Sequence, residues 1–349
     1  MKKRIICLLV AVCLCFSILC SCSQPTATAK NKYTAYSMDY FDTVITITGY
    51  ENSQEEFDAI ANEMLNQFGE YHQLYSIYHR FNGLENMCTV NELVDGVHRT
   101  VTVDRRIIDL LLYAKEMHTK TDGIMNIAMG SVLSLWHDYR TIGIDNPAEA
   151  SLPPMDKLQS AAEHTDINNL IIDEANSTVF ISDPLMKLDV GALAKGYAVD
   201  RIAQYFEQKG ITNYVLNAGG NVRALGGKAD GSDWKVGIEN PNGGDYLSYI
   251  NINGYSVVTS GSYQRFYYVD GKPYHHIIHP DTLMPAKGYL SVSIICKNSG
   301  LGDALSTALF CLPLQEGLAL IDSIDDTEAM WVTEDGKIAL SSGWNSFVE

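Results

Sequence analysis

Polar and apolar positions along the chain alternate with two different periods, and the switch between them outlines the fold. Residues 42–49 alternate strictly and predict a strand. From Ser53 to Tyr75 the period lengthens to that of a helix: Phe57, Ile60, Ala61, Met64, Leu65 and Phe68 share one face, and Ser53 with Glu56 has capping-box spacing. A second helix is predicted over Asp104–Thr121, with Ile107, Leu110, Leu111 and Ala114 turned inward and Gly123 beyond its end. A short third helix is predicted over Ser131–Trp136. Strands then dominate, at 169–173, 178–182, 186–190, 213–217, 234–238, 247–251, 255–258, 264–269, 291–296 and 328–333. Helices interrupt them at 192–209 and 301–312, and Asp270-Gly271 and Asp335-Gly336 have hairpin-turn chemistry. Strands and helices do not alternate regularly, so the pattern predicts an α+β fold and excludes a doubly wound sheet.

The N-terminus reads differently. Lys2, Lys3 and Arg4 precede an apolar run from Ile5 to Leu19, of about 15 residues, which is short for a membrane span and right for an export signal. Leu19-Cys20-Ser21-Cys22 is similar to a bacterial lipobox, with Cys22 as the lipidated first residue of the mature protein. Residues 23–32 read as a polar tether and 33–349 as the folded part. Four of the eight cysteines (Cys7, Cys13, Cys15 and Cys20) lie in the signal. Cys88, Cys296 and Cys311 are too few and too widely spaced for a disulfide framework or a zinc site.

The formal charge of −17 becomes −20 once the three basic residues of the signal are removed. Such an acidic chain excludes nucleic acid as a partner on electrostatic grounds. It also means that any anionic ligand needs local cationic help.

Candidate chemistry sits in a few segments. His275 and His276 point to opposite faces if extended, so one of them is available as a proton acceptor. Asp303 and Thr307, four apart on a predicted helix, point the same way and can share a hard cation. A base beside an oxygen-lined metal suits phosphoryl transfer or hydrolysis. Leu188–Asp200 runs from a strand into a helix, and the small residues Gly191, Ala192, Ala194 and Gly196 allow either a phosphate at the helix N-terminus, with Lys195 beside it, or tight packing. Asn217-Ala218-Gly219-Gly220-Asn221 is a sharp turn or a ligand approach, without dinucleotide-fingerprint spacing. Thr259–Tyr263 supplies hydroxyls and backbone N–H groups that could cradle a ligand.

In order, LDVGALAKGYAVD (188–200), YVLNAGGNVRALG (214–226), VVTSGSYQRFYYVDGKPYHHIIHP (257–280) and DALSTALF (303–310) resemble the ApbE family of flavin transferases, over roughly residues 38–340. The resemblance implies an α+β flavin transferase fold with mixed or antiparallel sheets and a cleft between subdomains. It implies magnesium-dependent transfer of the FMN half of FAD to a Thr or Ser hydroxyl of an exported or membrane flavoprotein, with release of AMP. It places Asp303, Thr307 and the Ala192 carbonyl on the metal, and Asp189 and Lys195 on FAD. Phe41, Tyr78, Ile124, Met125, Asn126 and Ile277 would line the same cleft, and His276 would be the base. It also implies an exported lipoprotein held at the cell membrane through Cys22. Two other readings share these residues: an FAD pyrophosphatase, with water in place of the acceptor, and a flavin-binding lipoprotein without turnover. The chain departs from the family pattern at Phe41-Asp42-Thr43, where Met-Gly-Thr is common. It departs again at Asn126 for Asp, His279 for Asp or Asn, and Leu283 for Gly.

Overall fold

The computed structural model of the chain describes residues 30–349. The segment read as an export signal, Cys22 and most of the segment read as a tether lie outside the described residues. An eight-stranded sheet organises the rest. Its strands are β1 (Asn31–Ser37), β2 (Ile45–Glu51), β3 (Tyr214–Ala218), β4 (Asn221–Leu225), β5 (Ser256–Gly261), β6 (Tyr289–Cys296), β7 (Glu328–Thr333) and β8 (Ile338–Leu340). They neighbour one another in chain order and every pair is antiparallel. The architecture is therefore a meander with long insertions at its turns, and the α+β expectation holds.

The central strands of the sheet are buried on both faces, and the strand period shows it residue by residue. Val292, Ile294, Cys296, Ala329 and Trp331 join one core cluster, whereas Ile295, Met330 and Val332 join another. The second face is covered by a hairpin of Trp234–Ile238 and Ser248–Ile252, which contributes Trp234, Ile238, Ile250 and Ile252. Helices cover the first face: α1 (Gln54–Tyr75), α4 (Ala194–Gln208) and α5 (Ser299–Cys311) pack on it and on one another. Helices α2 (Arg105–Lys120) and α3 (Gly130–Asp145) belong to the 162-residue insertion between β2 and β3 (residues 52–213).

Several expectations are corrected. The strand read at 42–49 starts only at Ile45, because Phe41 and Asp42 have φ of 56° and 50°, which breaks extended backbone. Asn31 and Lys32, read as tether, already pair in β1. The capping box at Ser53 is half formed: its hydroxyl accepts from Glu56 N at 3.2 Å, but the Glu56 carboxylate accepts from Asn52 instead. Residues 186–190 form no strand. Leu188 finds its partners in one side chain, donating to Asn91 Oδ1 and accepting from Asn91 Nδ2, both at 2.8 Å. The helix read as ending at Trp136 runs on to Asp145. Its second half has no apolar stripe, and Gly143 lets it lie against Tyr267, where an added Cβ would come within 2.6 Å of the ring.

Two family departures fall where the backbone is left-handed. Asp42 and Leu283, each standing where glycine is common in the family, have φ of 50° and 58°. Leu283 offsets the strain by burial against Met129, Val132 and Trp136, and its carbonyl accepts from Trp136 Nε1 at 2.9 Å.

Candidate active site

The insertions of the meander meet above one end of the sheet and enclose a cleft of about 1150 Å³. Phe41, Tyr78, Ile124, Met125, Asn126, Asp189, Ala192, Lys195, His276, Ile277, Asp303 and Thr307 all line it, so residues scattered over 267 positions of sequence (41 to 307) are brought together.

Asp303 and Thr307 lie one turn apart on α5 and face the cleft together, as helical spacing requires. Asp303 is buried. Its carboxylate accepts from the backbone N–H of Gly196, in the first turn of α4, at 2.7 Å and from Asn221 Nδ2 at 3.2 Å. Lys195 Nζ stands 3.9 Å away. The positive end of α4 and an amide thus hold this carboxylate in place. Gly196 makes the approach feasible, since a Cβ there would lie 2.4 Å from the Ser299 carbonyl oxygen and 2.5 Å from Asp303 Cβ. Its role is helix-to-helix packing; Gly191, Ala192 and Ala194 are the small residues of this segment that border the cleft. Gly196→Ala is expected to destabilise the fold by about 1–3 kcal/mol through overpacking, read as a lower denaturation midpoint at unchanged m.

Lys195 is held below the ordinary lysine range by burial, against the pull of Asp303. Asp189 is pushed up by burial, although it accepts from Gly191 N at 2.8 Å. Across the cleft, Tyr78 is 54% exposed and stacks on His137 at 5.1 Å and 28°, offering an open aromatic face. Phe41 sits at the rim, its N–H donating to His72 Nδ1 at 3.1 Å. Asn126 borders the cleft, but both ends of its amide are committed: Nδ2 donates to the Thr165 carbonyl and Oδ1 accepts from Ala128 N, each at 2.9 Å. A carboxylate could not make the first bond, so asparagine here holds a loop.

The adjacent histidines separate as expected. His275 turns away, with Nε2 bonded to the Ala286 carbonyl at 2.8 Å and its ring against Phe310. His276 turns into the cleft. The Arg265 carbonyl accepts from His276 N at 3.1 Å and pairs with Nδ1 at 3.2 Å. A carbonyl oxygen only accepts, so Nδ1 carries the proton and Nε2 keeps its lone pair. Burial, with the charges of Arg265 and Arg140, pushes the imidazole down to about 3. His279 lies outside the lining residues and caps its own turn, Nδ1 accepting from Asp281 N at 3.1 Å.

The turn at 217–221 is a sharp one and also borders the cleft. Gly219, at φ 54°, leaves no room for a side chain beside Thr43 Oγ1. The hydroxyls of Thr259 and Ser260 are paired with Ser293 and Ser306, each at 2.8 Å, which limits them as ligand donors. Sequence reading missed His137 and Arg140, which reach the cleft from the unpredicted half of α3, and the loop Glu239–Tyr246. The i, i+3 spacing of the two basic residues was the available signal.

Among the described residues no three His, Cys, Asp or Glu side chains cluster with metal-holding geometry. Asp303, Thr307 and Ala192 all line the cleft and bring a carboxylate, a hydroxyl and a backbone carbonyl to it. Few protein oxygens, completed by a substrate's phosphates, is how magnesium is usually held. The donor chemistry fits that ion.

The chain is similar to proteins named as flavin transferases. A Klebsiella pneumoniae (strain 342) FAD:protein FMN transferase is 32% identical over 317 residues, covering 90% of this chain and 93% of that protein. A Treponema pallidum (strain Nichols) protein of the same name is 34% identical over 259 residues, covering 70% of each. The ApbE protein of Thermotoga maritima superposes with a TM-score of 0.79 at 28% identity, over 91% of this chain and 100% of that one. The ApbE family model matches residues 41–331, and with the geometry above this places the chain in the ApbE family.

Proposed function

We propose that this chain is an FAD:protein FMN transferase, on the observation that one cleft joins an unprotonated His276 Nε2, an oxygen-donor set on Asp303, Thr307 and Ala192, and an open aromatic face on Tyr78. The acceptor's Thr or Ser oxygen attacks the flavin-side phosphorus of FAD. A new P–O bond forms, the bond from that phosphorus to the bridging oxygen breaks, and AMP departs with the bonding pair. The hydroxyl proton passes to His276 Nε2, while the bond from Nδ1 to the Arg265 carbonyl keeps the ring oriented. Tyr78 offers a stacking surface to one ring system of FAD. Lys195 and the first turn of α4 offset the diphosphate charge in a strongly acidic chain. Magnesium held by Asp303, Thr307 and Ala192 would neutralise charge on the phosphates.

The acceptor is an exported or membrane flavoprotein presenting a Thr or Ser. We place the enzyme beside it through lipidated Cys22, which raises the local concentration of the pair. No helix among the described residues is long and apolar enough to cross a membrane.

The test is incubation with FAD, magnesium and a Thr-bearing flavoprotein acceptor. Mass spectrometry should show FMN on the acceptor, with one AMP per transfer. AMP with free FMN and an unmodified acceptor would support hydrolysis instead; FAD bound without AMP release would support a carrier.

The pH profile follows from the imidazole. An ordinary histidine base loses activity below about pH 6.5. Here burial and two guanidinium groups disfavour the charged ring, whose pKa falls to about 3. Neutral His276 therefore persists as pH is lowered, and the acid limb of kcat/KM for FAD is expected below about pH 5. A limb centred near 6.5 would contradict this.

A further inference from the structure

Eight arginines lie among the described residues, and six of them (Arg80, Arg99, Arg105, Arg106, Arg201 and Arg223) contact a carboxylate. Arg140 and Arg265 do not, and both line the cleft. In a chain of net charge −17, acidic partners are abundant, so two unmatched guanidinium groups in one cavity are not an accident of composition.

Their settings are specific. Arg140 Nη2 donates to His137 Nδ1 at 3.0 Å, and His137 in turn stacks on Tyr78. The carbonyl of Arg265 is the acceptor that orients His276. Both charges act on His276, Asp189 and Tyr78, and Arg265 acts on Lys195 as well. Arg265 is thus within electrostatic reach of both the proposed base and the lysine beside Asp303. Like charges held together in a partly buried cleft repel one another, and an anion relieves that repulsion.

We propose that Arg140 and Arg265 form the seat for the flavin-side phosphate of FAD, the group that is transferred. This rests on the transferase reading. A base that takes the acceptor's proton must lie next to the attacking oxygen, and that oxygen must lie next to the reacting phosphorus. Groups flanking His276 therefore address the flavin-side phosphate and not the adenylate side. Guanidinium forks suit phosphate oxygens, and their charge balances the oxygens as the new bond forms.

Binding of FMN, riboflavin and AMP, each with magnesium, to the full chain tests this, using Arg140→Gln and Arg265→Gln whose folding is checked by thermal melting. The unmodified protein should prefer FMN to riboflavin. Each glutamine variant should lose about ten- to hundredfold in FMN affinity, the scale of a charge-assisted hydrogen bond, with riboflavin and AMP within about twofold. Unchanged FMN binding overturns the assignment, as does an equal loss for AMP. A rise only in the acceptor's KM would instead give the pair to the acceptor and also overturn it. Failure of FAD itself to bind the unmodified chain would remove the transferase reading and the seat with it, an outcome distinct from the others.

Discussion

Asp303→Asn is expected to yield a folded protein in which magnesium-dependent FMN transfer is lost. The substitution keeps the shape of the side chain and one carbonyl oxygen, which can still accept from Gly196 N. It removes the charge that a hard cation requires. Losing several kcal/mol of charge stabilisation corresponds to a rate lower by on the order of a thousandfold. AMP release and FMN incorporation should fall together, and raising magnesium should restore little. Activity within tenfold of the unmodified protein would remove Asp303 from the metal. The choice of asparagine follows from the structure. Read from the sequence, Asp303 is a ligand outside the core, for which alanine would be a clean deletion. In the fold it is buried and bonded to Gly196 and Asn221. Alanine would strand both donors at about 1–3 kcal/mol each, so that variant confounds metal loss with instability.

The second large effect is expected at His276. His276→Ala should retain FAD binding and lose about 10²- to 10⁴-fold in transfer, the usual contribution of a positioned general base. Its backbone N–H still donates to the Arg265 carbonyl, so the loop has reason to stay in place. His279→Ala is the control. Outside the cleft, with Nδ1 occupied by its own turn, it should leave kcat within a few fold. A greater loss at His279 than at His276 would move the base. Stopped-flow measurement of AMP release, with flavin fluorescence for binding, separates the two parameters.

The elements were legible where burial is one-sided. The face Phe57–Phe68 on α1 could be read because one stripe meets the sheet and the other meets water. The second half of α3 could not, because His137–Asp145 is helical through a contact with Tyr267, far along the chain. Residues 186–190 look like a strand because they are half apolar, but their ladder stops at an isolated bridge of Lys187 with Met129, and Leu188 pairs with the Asn91 side chain. Local pattern does not distinguish a ladder from a single amide that imitates one.

The sequence by itself determined the fold class, the ordered motifs of the family, and the chemical types at the site: one histidine of an adjacent pair, an Asp and a Thr one turn apart, and a lysine among small residues. These follow from periodicity and side-chain chemistry, which are local properties. Only the tertiary structure decided that His276 and not His279 faces the cleft. It also decided that Gly196 serves helix packing, that Asn126 holds a loop, and that Arg140 and Arg265 stand unmatched beside the base. Those facts depend on which insertion of the meander approaches which. That is set by packing between residues far apart in the chain, as between Gly196 and Asp303, where a single missing Cβ lets two helices close on one carboxylate.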